Sequence, residues 1–174
     1  MFQQSIISFC GGEWRRRTSE NLLDFFSTKQ LELVFPNIGP DYLNTIFDDC
    51  KDIISCYCLY EMGFCTGSFV CLIEEDSSKK ILSIHGARAS CSCNNLLLFR
   101  AYIEIISAIL DEGYTLQTSC SKSNIRAIKF NYGVGFKPIA DKKERLLMQV
   151  DYHLLLQSTV YRYLYHDRIT PSEL

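Results

Sequence analysis

The side chains best suited to chemistry in this 174-residue chain are His85, nine cysteines, and the polar residues of the stretch SNIRAIKFNYGVGFKP, Ser123 to Pro138. His85 stands near the end of the β-rich run ILSIHGA. A neutral imidazole at a strand end can take a proton from an amine, directly or through water. The alternative for it is a partly buried histidine satisfied by backbone. Glu61 and Glu75 also end β-rich runs, where carboxylates are ordinarily just solvated. His153 and His166 fall in the last strand and the tail, and no role is assigned to them. Cys91 and Cys120 would need an adjacent base to act as nucleophiles, and no histidine stands beside either, so a Cys–His hydrolase is a poor fit.

The cysteines fall at 10, 50, 56, 58, 65, 71, 91, 93 and 120. Two pairs, Cys56 with Cys58 and Cys91 with Cys93, are spaced one residue too tightly for the usual zinc pattern and have no histidine nearby. In a strand, positions i and i+2 share a face, so Cys56 and Cys58 read as small apolar side chains on one side of a sheet. The expectation is therefore reduced thiols in a cytoplasmic protein, with no metal. The opening MFQQSIISF lacks the charged and long apolar regions of a secretory leader, and no run of about 18 apolar residues suggests a membrane span.

Formal charge is −2, from 18 Lys+Arg against 20 Asp+Glu, which argues against a protein that grips nucleic acid through its phosphates. The basic run Arg15-Arg16-Arg17 beside Trp14 reads as a solvated turn, with a phosphate or partner contact as the alternative. A hydrophobic fraction of 47% excludes intrinsic disorder, and the length suits one domain over 1–174, with a core at about 3–155 and a tail at 156–174.

The elements that must position these residues follow from periodicity. Gln3 to Cys10 reads as a strand ended by Gly11-Gly12. Helices are expected from Ser19 to Phe35 and from Pro40 to Cys50. Asp52–Glu61, Phe64–Glu75 and Lys80–Ala87 form an antiparallel meander with turns at Met62-Gly63 and Asp76–Lys79. Leu96–Leu110 is a helix closed by Gly113, and Tyr114–Cys120 is a strand. In the stretch quoted first, Asn124 caps a helix whose inner face carries Ala127, Ile128 and Phe130, with Gly133 and Gly135 ending it. Phe136–Ala140 and Leu146–Leu155 are the last strands. The tail reads as a helix with Leu156, Val160, Tyr163 and Leu164 on one side. The order β-α-α-β-β-β-α-β-α-β-β, plus the tail, predicts a mixed α/β sheet of about seven strands with helices on both faces.

That order resembles the GNAT superfamily of acyl-CoA-dependent N-acyltransferases. The stretch from Ser123 is similar to the family's pattern N-x-x-A-I-x-F-Y-x-x-x-G-F, with Asn124, Ala127, Ile128, Phe130, Gly135 and Phe136 on its spacing. The resemblance implies acetyl-CoA in a V-shaped gap between the fourth and fifth strands. Its pantetheine arm would pair with the fourth strand, and its pyrophosphate would lie on backbone N–H groups at the next helix start. On that reading Ala87, Arg88, Cys93, Asn94, Asn95 and Asn124 contact the cofactor, and His85 and Tyr132 are the catalytic candidates.

Two positions depart from the pattern. The family's pyrophosphate loop has the form Q/R-x-x-G-x-G/A, yet no glycine occurs between Gly86 and Gly113. Aligned from Arg88, the glycine positions become Cys91 and Cys93; counted back from Gly113, they become Leu96 and Leu98. The family's tyrosine position falls on Asn131, and Tyr132 comes one place later, turned by about 100° around the helix. An asparagine cannot serve as a general acid.

Two functions follow. In one, the chain keeps the fold without catalysis and acts through a protein partner, self-association or a structural role, with the aromatic tail (Tyr161, Tyr163, Tyr165) as the docking element or packed on its own domain. An assembly protein encoded by a tailed phage, located in the virion, is a variant of this reading. In the other, it is an acetyl-CoA-dependent N-acetyltransferase acting on a small-molecule or protein amine, with His85 or a water chain as base.

Overall fold

The computed structural model describes residues 2–17, 54–87 and 95–165. The helices expected over 19–35 and 40–50, and residues 88–94, lie outside them. Eight strands form one sheet: β1 (Ile6–Phe9), β2 (Gly12–Arg17), β3 (Ile54–Glu61), β4 (Phe64–Asp76), β5 (Ile81–Ala87), β6 (Thr115–Ser121), β7 (Lys137–Asp141) and β8 (Arg145–Val150). Their order across the sheet is β1-β2-β3-β4-β5-β6-β8-β7, and β5/β6 is its parallel pair. Four described helices are α1 (Asn95–Asp111), α2 (Ile125–Gly133), α3 (Tyr152–Leu156) and α4 (Thr159–Tyr165).

The strand count exceeds expectation by one because the arginine run is a strand. Ile6 to Phe9 turns at Cys10-Gly11 and returns as β2, pairing Ile7 with Trp14 and Ile6 with Arg15. Three consecutive arginines hide the alternation, but Trp14 is fully buried and its Nε1–H donates to the Ala101 carbonyl at 2.6 Å. Arg15 and Arg17 lie over the Tyr60 ring at 4.3 and 5.3 Å, covering the strand's other face.

α1 runs 17 residues and buries Leu97, Leu98, Ala101, Ile103, Ile105, Ile106, Ile109 and Leu110. That spacing is a wide helical stripe, laid on the sheet face that carries Tyr57, Leu59, Val70, Leu72, Leu82, Ile84 and Leu116. Cys56, Cys58 and Cys71 are buried on the opposite face, as the two-residue spacing requires. Cys56 and Cys71 are cross-strand partners, and their thiols lie 2.8 Å apart as a hydrogen bond. The six cysteines among the described residues are free thiols. No cluster of metal-ligating side chains occurs among the described residues, and no described helix is long and apolar enough to cross a membrane.

The last strand ends earlier than its sequence suggests. Asp151 accepts the Leu154 backbone N–H at 2.8 Å and starts α3, so Tyr152–Leu155 is helical rather than extended. The described residues end in two short helices, α3 and α4. Val160, Tyr161, Leu164 and Tyr165 pack against the core, and the Tyr165 hydroxyl donates to Glu104 on α1. Tyr163, placed on the inner side by sequence, is 76% exposed.

Candidate functional site

β5 and β6 pair only at their beginnings. Ile81, Leu82 and Ser83 lie opposite Thr115, Leu116 and Gln117, and the ladder ends there. Beyond it each strand keeps its outer partner. β5 stays on β4 through Phe69↔Ala87, and β6 stays on β8 through Ser121↔Arg145. Two separately anchored strands therefore diverge, and the opening holds a cavity of about 390 Å³.

Alternation sorts its walls. Leu82 and Leu116 face α1, so Ile84, Gly86, Thr118 and Cys120 do as well. Tyr102 and Ile106 of α1, with Ala127, Phe130 and Asn131 of α2, complete that side. The other side of the sheet contributes His85, Ser119, Ser121 and, opposite Ser121, Arg145. The cavity thus reaches both faces of the sheet through the gap between the strands.

On the α1 side the walls are aromatic and tightly packed. Phe99 stacks on Phe130 at 4.9 Å, and Tyr102 meets Phe130 edge-on at 4.9 Å and Trp14 at 5.7 Å. The Tyr102 hydroxyl lies so close to Gly86 that a Cβ there would collide with it. This close approach explains a glycine in a strand otherwise built of larger residues. α2 is held over the gap at both ends. Asn124 accepts the Ala127 N–H at 3.1 Å as N-cap, and Gly135, at φ +99°, turns the chain against the Leu154 backbone.

The polar groups are held in fixed roles. Arg145 donates from Nε to the Ser119 hydroxyl at 2.8 Å and from Nη2 to the Ser119 carbonyl at 2.6 Å. Asn131 donates Nδ2–H to the Cys120 sulfur at 2.9 Å. Burial raises the Cys120 thiol above its ordinary value, which keeps it protonated and unreactive. His85 is half-buried, and desolvation lowers its proton affinity, helped by the Arg145 cation and opposed by Glu75. It is therefore neutral at pH 7 and able to accept a proton.

No protein-family model matches the sequence, and no curated protein matches it. Solved structures do match in shape. The ribosomal-protein alpha-N acetyltransferase RimL superposes with a TM-score of 0.68 at 9% identity, over 84% of this chain and 93% of that one. Mycobacterium smegmatis RimJ, solved with CoA-disulfide, gives 0.63 at 10% identity over 90% of each chain. Aminoglycoside acetyltransferase AAC(6')-Ib, solved with ribostamycin and coenzyme A, gives 0.65 at 15% identity over 83% of this chain and 95% of that one.

The fold is that of the GNAT acetyltransferases. Within the GNAT frame, the expected V-shaped gap is the divergence of β5 and β6. Of the catalytic candidates, His85 lines the cavity and Tyr132 does not. Tyr132 is 42% exposed, and Asn131, at the GNAT tyrosine position, faces inward instead. This is the rotation that one residue of helix produces. Among the cofactor candidates, Asn124 lines the cavity, Asn95 is the exposed first residue of α1, and Ala87 ends β5. Arg88, Cys93 and Asn94 lie outside the described residues. Leu97 and Leu98 are buried, Leu98 in the core cluster, while Leu96 is half exposed at the start of α1.

Sequence reasoning missed Ser119, Tyr102 and Arg145. Arg145 was concealed in the charged turn DKKER, where one more cation carries no signal. Only the Ser121↔Arg145 register places it in the gap.

Proposed function

We propose that the chain is an acyl-CoA-dependent N-acetyltransferase in which His85 is the base. The observation that supports it is the divergence of β5 from β6 beside a neutral, half-buried imidazole. The residues fit a pantetheine arm: beyond Ser83, β5 is an extended segment with β4 on one side and the cavity on the other, and Ile84 and Gly86 line that cavity. An extended ligand can lie along such an edge as an added strand. Acetyl-CoA, when bound, supplies an acetyl group as a thioester open to attack by an amine.

His85 would accept the proton that the amine nitrogen releases as the amide C–N bond forms and the thioester C–S bond breaks, and the imidazolium or solvent would return a proton to the coenzyme A thiolate that leaves. Desolvation keeps the imidazole neutral before that event, and Arg145 adds to it by disfavouring a second positive charge. Ile84, Ile106 and Val134 supply apolar wall around the reacting centre and lower its exposure to water. Asn131 offers Nδ2–H where the family has a phenol, a hydrogen bond without a transferable proton.

A second reading, a GNAT fold kept for binding alone, is favoured by that same asparagine and by the Phe99–Phe130–Tyr102 packing between α1 and α2. A thermal melt with and without acetyl-CoA and coenzyme A separates the two. A ligand at about a hundred times its Kd stabilises the fold by about 2.7 kcal/mol, a melting shift of about 5–10 °C for a chain of this size. A shift, followed by thiol release with an amine panel, supports acyl transfer. No shift at millimolar acetyl-CoA overturns it and leaves the binding reading.

A further inference from the structure

Arg145 is more than a neighbour of the base. Its guanidinium is locked on Ser119 through Nε–H and one Nη2–H. Both bonds use the side of the guanidinium plane next to Nε. The outer pair, one hydrogen on each Nη, is the fork that matches a carboxylate's two oxygens. Among the described residues, no carboxylate forms an ion pair with Arg145. Ser119 fixes the fork's direction, so little side-chain entropy is lost when a ligand engages it.

The placement narrows the ligand further. Ser119, Ser121 and His85 fall on one face of the sheet by alternation from Ser83 and Gln117, and Arg145 joins them opposite Ser121. A cation beside the base disfavours an acceptor whose remaining groups are all cationic. An acceptor carrying a carboxylate near its amine neutralises that cation and brings its nitrogen to the imidazole. Resting on the acyl-transfer reading above, we infer that Arg145 is a specificity residue that binds the carboxylate of the acceptor, which makes the acceptor an amino acid or a chain segment with a carboxylate close to the reacting amine.

The test uses the full chain and isothermal titration with product-like pairs, N-acetylalanine with N-acetylalaninamide and N-acetylphenylalanine with its amide. Each pair differs only in carboxylate against carboxamide. The wild type is expected to bind the acids at least about tenfold more tightly than the amides, as a charge-assisted bidentate contact gives. In Arg145→Gln that ratio falls to about one, and in Arg145→Lys, which keeps the charge and loses the fork, it falls severalfold. Equal binding of acid and amide by the wild type overturns the inference, as does failure of both acids to bind. An unchanged ratio in Arg145→Lys overturns it even if Arg145→Gln does not fold.

The acetyl-CoA melt separates this from the reading beneath it. A melting shift with no carboxylate preference removes the role of Arg145 and leaves acyl transfer standing. A carboxylate preference without an acetyl-CoA shift removes acyl transfer and overturns the acceptor assignment with it.

Discussion

The two edges of β5 meet opposite fates. Toward β4 it pairs from Ile81 to Ala87, and the strands beyond bury Tyr57, Leu59, Val70 and Leu72 against α1. Toward β6 it pairs only as far as Ser83 and then leaves a cavity. The difference teaches how a sheet can open in its middle at small cost. β5 rests on a β4 ladder that is regular from Leu82 to Ala87 and β6 on an uninterrupted β8 ladder, so the gap lies between two independently supported walls. One edge should therefore govern stability and the other governs chemistry.

The largest expected effect is on the open edge. His85→Gln should lower acetyl transfer by about 10²–10⁴-fold, the usual contribution of a positioned base, with a nearly unchanged melting temperature at pH 7. The pH dependence carries a sign. His85 has a folded-state affinity for protons below its ordinary value of 6.5, so wild-type activity stays level down to that value and falls at lower pH as the imidazole charges. Stability follows the same direction. The unfolded chain takes up the proton first, so the contribution of neutral His85 is full above about pH 6.5 and is lost as pH falls through the folded value. His85→Gln should remove that acid limb from both the rate and melting profiles. A variant that melts far lower at pH 7 yet keeps its rate would erase the contrast between the edges.

On the closed edge the expectation reverses. Leu72 is fully buried, opposite Ser55 on β3 and Ile84 on β5. Leu72→Ala should cost about 2–5 kcal/mol in denaturant unfolding, while the folded fraction keeps its affinity for acetyl-CoA. Loss of affinity without loss of stability would show that the cavity's walls are not independent.

Gly86 belongs to both edges, since it pairs with Val70 and lines the cavity. Gly86→Ala should cost about 1–3 kcal/mol, because its Cβ meets a Tyr102 ring already fixed by Trp14 and Phe130. Combined with Tyr102→Phe, the double variant should be more stable than the sum of the two single changes predicts. Plain additivity would mean that the hydroxyl is not what excludes a side chain there.

Sequence pattern revealed the parts of this architecture whose periodicity is clean. The meander, α1, β6 and α2 with its Asn124 cap all match their expected spans closely, because their apolar residues recur at two or 3.6. β2 was hidden because its outward residues are arginines and its single inward anchor is Trp14. α3 was hidden because Leu154 and Leu155 continue an apolar run, while the signal that ends the strand is one side chain, Asp151. The gap was legible only through resemblance, since a strand that stops pairing with its neighbour leaves no mark in its own sequence. Arg145 needed three-dimensional register, which a charged turn does not disclose.

The smallest expected effect bears on the residue one place from where chemistry would want it. Tyr132 and Asn131 are adjacent on α2, yet Asn131 reaches the cavity and hydrogen-bonds Cys120, while Tyr132 is 42% exposed. Asn131→Ala removes a half-buried donor and should cost about 1 kcal/mol by denaturant titration. Tyr132→Phe should leave stability within about 0.5 kcal/mol and leave turnover unchanged. If the phenol protonated the leaving thiolate, Phe would lower turnover by about 10²-fold or more. Such a loss would require α2 to rotate by about a third of a turn when ligand binds, and the open edge would then be a moving part rather than a gap held between two fixed ladders.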